Sequence, residues 1–184
     1  MPIRPVRIYG DPVLRRKALP VEAFDDALRS LVSDLYDTMA AYEGVGLAGN
    51  QIGVAQRVFV LDVKDDDEQH VRVAVVNPRI TARSGKDENE EGCLSIPGIW
   101  GEVARPARVT LVGQDEHGAP LQIEAGGMLA RAIQHELDHL DGVLFVDKLS
   151  ALKRQFLKRS LEALARGEVP EGYHPLEAGH EGAR

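Results

Sequence analysis

Apolar residues recur at Leu28, Leu31, Val32, Leu35 and Met39, the three- and four-residue spacing of a one-sided helix. That spacing predicts a helix over residues 25–42, capped by Asp25 or Asp26 and stopped at Gly44. The next block, Gly44-Val45-Gly46-Leu47-Ala48-Gly49-Asn50-Gln51, is too rich in glycine for a helix or a central strand. Val- and Phe-rich runs at 57–63 and 71–76 then predict strands, with the acidic run 65–68 as a solvated hairpin loop. A further strand is expected at 78–83 and a polar surface loop at 84–91. Residues 107–113 and 120–124 alternate around Asp115-Glu116-His117-Gly118, the pattern of a hairpin. Gly126-Gly127 breaks the alternation, and 128–140 reads as a mostly apolar, central helix. Ser150 caps a last amphipathic helix over 151–166, with Leu152, Phe156, Leu157, Leu161 and Leu164 at helical spacing.

The order of these elements decides the fold class. Strands cluster mid-chain, with helices at the start and near the end. That is α+β, with mostly antiparallel sheets packed around a central helix and a C-terminal amphipathic helix behind it. One catalytic domain is expected over residues 1–166, followed by a loose tail over 167–184.

Bulk properties narrow the partners. A net charge of -7 over 184 residues argues against specific DNA binding by the chain as a whole. No apolar run approaches the roughly 20 residues of a membrane span, and the first residues hold no apolar signal region. A cytoplasmic protein is expected. Its one cysteine, Cys93, reads either as a buried small hydrophobe or as a thiol with chemistry to do.

Chemistry concentrates in His135-Glu136-Leu137-Asp138-His139, inside the 128–140 helix. Positions four apart share a helix face, so two imidazoles can meet one metal ion, with Glu136 beside them to handle a water proton. Catalytic metals commonly take three protein ligands and keep one open position. Residues Asp141, Asp147, Glu162, His174 and His180 lie downstream as third-ligand candidates, and Cys93 lies upstream in Glu91-Gly92-Cys93-Leu94-Ser95. Spacing alone leaves that choice open.

Three blocks in this order, G-x-G-L-A-x-x-Q, E-G-C-L-S and H-E-x-D-H, resemble the peptide deformylase family from about Asp11 to the helix after Ser150. The resemblance implies that Cys93, His135 and His139 hold a divalent metal, with Fe2+ as the physiological ion. Zn2+, Ni2+ and Co2+ also suit the donor set. It implies an N-formylmethionyl nascent peptide as substrate, attacked by water at the formyl carbon and releasing formate. Glu136 then carries the proton from water to the leaving amine. The resemblance further implies that the side-chain amide of Gln51 and the backbone N–H of Leu94 face the tetrahedral oxyanion, where one donor is worth roughly 3–4 kcal/mol. The chain departs from the family pattern at Gly49-Asn50, where Ala-Pro or a similar pair is common, and at Trp100, where a polar or basic residue is common.

The methionine side chain needs an apolar slot. Val45, Gly46, Trp100, Met128 and Ala132 are its expected lining, with Arg131 at the mouth. Asp138 is expected to pair with Arg105 and steady the motif helix, and Glu91 to brace Gln51 or a histidine. The last helix carries Lys153, Arg154, Lys158 and Arg159 against Glu162, a basic face suited to the ribosome. Two other classes stand beside this reading. A general H-E-x-x-H metallopeptidase would not need the Cys93 block or Gln51, and a non-catalytic metal-binding module would not need Glu136.

Overall fold

The computed structural model describes residues 3–64, 68–171 and 173. Most of the 65–68 run and most of the 167–184 tail therefore lie outside the described residues.

Helix α1 (Asp26–Ala41) starts where Asp25 Oδ1 accepts from the Leu28 N–H at 3.0 Å. It ends one residue earlier than glycine would suggest. Glu43 takes the left-handed conformation (φ 55°), and the Gly44 N–H reaches back to the Met39 carbonyl at 2.9 Å. This six-to-one bond closes the helix, at the cost of roughly 1–2 kcal/mol for a residue with a Cβ in that region.

Five strands form one antiparallel sheet in the order β1 (Gly46–Ala48), β2 (Val58–Lys64), β3 (His70–Ser84), β6 (Arg108–Gln114), β7 (Pro120–Gly126). The fold is α+β. Strand β2 is apolar on both sides because both sides are covered. Val58 and Val60 meet Leu28, Leu35 and Met39 of α1. Phe59 and Leu61 meet Leu129 and Ile133 of helix α2 (Gly127–Leu140). A third cluster joins Leu14, Ile96, Leu144 and Phe145 to Leu161 and Leu164 of helix α3 (Ala151–Ala165).

Two expectations need correction. The runs 71–76 and 78–83 are one 15-residue strand. Asn77 (φ 51°) sits at a register shift that absorbs Pro78, which has no N–H to give the ladder. Residues 84–91 are not all loop: β4 (Asp87–Glu91) pairs with β5 (Gly101–Arg105) in a separate two-stranded sheet. Asp87-Glu88-Asn89-Glu90 lacks an apolar alternation because only Glu91 of β4 is buried.

Burial pushes the Asp147 carboxyl up, but Arg15 (2.5 and 3.1 Å) and the Leu144 N–H (2.9 Å) outweigh it and hold its pKa below 3.8. The pair therefore stabilises the fold above that pH and fades as acid titrates the carboxylate. Urea midpoints of wild type and Asp147→Asn should differ at pH 6 and draw together as the pH falls below 3.8. Midpoints that stay parallel through the acid range would contradict this.

Candidate active site

Helix α2 sets His135 and His139 one turn apart, with ring centroids 5.0 Å apart and planes at 69°. Their Nε2 atoms approach to 3.2 Å. Cys93 leaves the end of β4 and brings Sγ to 3.2 Å from His139 Nε2. The three ligand atoms lie within 4.8 Å of one another, the one such group found among the described residues. Tetrahedral coordination at ordinary zinc-type bond lengths puts nitrogens and sulfur about 3.3–3.6 Å apart. One thiol and two imidazoles at this spacing fit a single divalent ion.

The supporting contacts fix which atoms face the centre. Glu91 Oε2 meets His135 Nδ1 at 3.0 Å, which leaves Nε2 for the metal. Burial, the largest influence on it, pushes the His139 pKa down, favouring the neutral imidazole a ligand must be. Arg105 grips Glu91 at 2.5 and 2.9 Å and reaches Asp138 at 2.8 Å. Burial acts to raise the Glu91 pKa, but Arg105 and His135 prevail and hold it well below the usual carboxylate range.

Glu136 is buried at 4% exposure beside the two histidines. Burial, then the nearby Glu91 and Asp138 carboxylates, outweigh His135 and Arg105 and push its pKa up to about 7. Gly46 lies against it: a Cβ on Gly46 would stand 2.6 Å from Glu136 Oε1. Gly46→Ala should displace the carboxylate and cut turnover by roughly 10²-fold, as misplacements near 1 Å do. Steady-state kinetics check this, and an unchanged kcat would remove the contact from the argument.

Gln51 is 1% exposed in a short 3-10 turn, Gly49–Ile52. Its Oε1 accepts from the Ala48 N–H at 2.9 Å, so its amide nitrogen must point the other way. That nitrogen faces Cys93 Sγ at 3.6 Å and Ser95 Oγ at 3.2 Å.

A model of the polypeptide deformylase family matches residues 3–155. The chain belongs to the polypeptide deformylase family. It is 44% identical over 177 residues to a peptide deformylase of Pelodictyon phaeoclathratiforme, covering 95% of this chain and 94% of that one. With a peptide deformylase of Alkalilimnicola ehrlichii it shares 45% identity over 173 residues, covering 94% and 97%. The peptide deformylase structure from Thermus thermophilus superposes with a TM-score of 0.82 at 46% identity, covering 90% of this chain and 98% of that chain. The Legionella pneumophila structure gives 0.82 at 44% identity, covering 90% and 97%.

Against the deformylase pattern, the departure at Gly49-Asn50 has a local reason. A Cβ at Gly49 would stand 2.6 Å from the Val54 carbonyl oxygen. Asn50 is fully buried and donates to the Val13 and Arg16 carbonyls at 3.2 and 2.7 Å, tying the turn to the N-terminal segment. The sequence marked Asn50 only as part of a departure from the pattern and Ser95 only as part of its block, and gave neither a role. Leu94 is half-buried, with its side chain against Gly44.

The expected pocket residues divide. Val45, Trp100 and Met128 are 49%, 58% and 55% exposed, and the Trp100 ring lies over Gly92 beside Cys93. Ala132 is 5% exposed within the main apolar cluster. Arg131 is not at a mouth. It is 6% exposed and ion-paired with Glu91 at 2.6 Å and Asp87 at 2.7 Å, because β4 supplies carboxylates that α2 can reach. Glu91 braces His135; its other contacts are Arg105 and Arg131, not Gln51. A groove of about 520 Å³ over Arg83, Arg108 and Glu124 shares no residue with the Cys93–His135–His139 group.

Proposed function

We propose that this chain is a metal-dependent deformylase whose domain, residues 1–166, removes the formyl group from N-formylmethionyl peptides of nascent proteins. The observation that carries the reading is the convergence of Cys93, His135 and His139 beside Glu136, with the Gln51 amide turned toward the same sulfur. A divalent ion there, with Fe2+ as the proposed physiological one, would polarise water and the formyl carbonyl. Glu136 takes the water proton and delivers it to the departing amine, which is too basic to leave as an anion. Gln51 Nε2 and the Leu94 N–H stabilise the charge developing on the formyl oxygen. Ala48 pre-sets the Gln51 amide, so no reorganisation is needed at the moment of reaction. Val45, Gly46, Trp100, Met128 and Ala132 form the methionine slot. The testing experiment is formate release from formyl-Met-Ala-Ser by anaerobically purified, metal-loaded enzyme. Release supports the reading, and none from a metal-loaded chain would defeat it.

Nascent-peptide substrates favour a cytoplasmic location, and no helix of the described residues is long and apolar enough to cross a membrane. The ribosome is the proposed partner of α3. Lys153, Arg154, Lys158 and Arg159 are exposed there, beside Leu152 and Phe156 at 65% and 76% exposure. Deleting α3 would uncover the cluster holding Leu161 and Leu164, so substitution is the cleaner test. Changing the four cations to Gln should weaken co-sedimentation with ribosomes by 10-fold or more, since each cation lost from a phosphate surface forfeits released counterions, and spare activity on free peptide. Equal co-sedimentation would end this assignment.

A further inference from the structure

Arg131 stands one helical turn before His135, on the same face of α2, and it is buried. Its guanidinium meets both strands of the β4–β5 sheet. It donates to Glu91 Oε1 at 2.6 Å, the Val103 carbonyl at 2.9 Å, Asp87 Oδ2 at 2.7 Å and the Asp87 carbonyl at 3.1 Å.

We propose that Arg131 is a positioning residue for the metal centre, acting through Glu91 on His135 and through β4 on Cys93. The lone pairs of Glu91 carry the first half of the case. A carboxylate offers about four acceptor sites. Arg105 Nε (2.5 Å) and Arg131 Nη1 (2.6 Å) take Oε1. Arg105 Nη2 (2.9 Å) and His135 Nδ1 (3.0 Å) take Oε2. With all four filled, the carboxylate cannot pivot about Arg105 and release the imidazole. The second half is the strand. Glu91 is the last residue of β4, two positions before Cys93, so the fork that anchors β4 to α2 also sets the spacing between thiol and histidines. Asp87 and Glu91 on β4, with Asp138 on α2, are balanced by Arg105 and Arg131, and Lys148 adds a contact to Asp138 at 3.3 Å. Removing Arg131 leaves that group short of one cation.

The inference rests on the metal-centre reading, and its test does not depend on turnover. Wild type, Arg131→Met, Arg131→Lys and Arg4→Met are loaded with Co2+, and its loss to excess EDTA is followed in the visible spectrum. Losing an outer partner of a ligating histidine typically costs 10–100-fold in metal affinity. Arg131→Met should lose Co2+ 10–100-fold faster than wild type. Arg131→Lys should recover part of that, since an ammonium keeps the charge and lacks the fork. Arg4→Met strips the buried Asp34 of a 2.7 Å partner and touches none of the site residues, so it should destabilise the chain without hastening metal loss. Arg131→Met within twofold of wild type, or no faster than Arg4→Met, would overturn the proposal. If Arg131→Met does not fold, Asp87→Asn loosens the same fork at a more exposed end. Several-fold faster loss there supports the proposal, and an unchanged rate overturns it. A wild type that holds Co2+ and releases no formate defeats the deformylase reading while leaving this test intact.

Discussion

Replacing Glu136 by Ala should lower formate release from formyl-Met-Ala-Ser by about 10²–10⁴-fold, the span over which a positioned proton carrier acts, while metal content stays near that of wild type. The separation of the two readouts is what the structure leads one to expect. Glu136 is on α2 between the two histidines but is not among the three converging ligand atoms. Its Oε2 is buried with no hydrogen-bond partner among the described residues, so nothing in the fold ties down the oxygen that would accept a proton. The pH profile gives a second reading of the same group. Burial raises its pKa to about 7 in the metal-free chain, and the base is the ionised form. Activity should therefore fall on the acid side, with the limb moved below 7 by a dication a few ångströms away. The residual activity of Glu136→Ala should lack that limb. A variant that keeps wild-type kcat would overturn the role given to Glu136, whatever the metal content.

Cys93→Ala should have the other very large effect, and it should act on the metal first. The variant removes the one sulfur of the donor set, and the loss of affinity should exceed the ~10–100-fold that follows from losing an outer-shell partner. Elemental analysis after gel filtration should find much less than one ion per chain, and formate release should fall with it. The chain should still fold, since Cys93 is only half-buried at the margin of its apolar cluster. Retained stoichiometric metal would exclude Cys93 as a ligand. Retained metal with lost activity would shift its role toward the reacting atoms.

Much of the architecture could be read from periodicity because burial there follows one rule per element. Leu28, Leu31, Leu35 and Met39 face one apolar surface, and so mark α1. The β6–β7 hairpin alternates, with its turn at Asp115–Gly118. Strand β4 escaped the same reading because its buried residue is a glutamate, held by two arginines and a histidine rather than by apolar contacts. The same carboxylate explains why Arg131 was misplaced: a cation on an apolar helix face reads as exposed until its anionic partners, 40 and 44 positions upstream, are known. Spacing found the two histidines four apart, which share a local helix. It could not choose Cys93, which reaches them only through tertiary folding; the family resemblance singled it out.

The ligand atoms of Cys93 and His139 are 3.2 Å apart in space and 46 positions apart in sequence. An ion spanning them is a cross-link as well as a reagent, closing a long loop much as a disulfide would. By mass action, free ion at 1,000 times its dissociation constant adds about 4.1 kcal/mol to the stability of the native state. Because closure entropy grows only by about 0.6 kcal/mol for each doubling of a loop, lengthening the β6–β7 turn inside it should change the strength of that clamp very little.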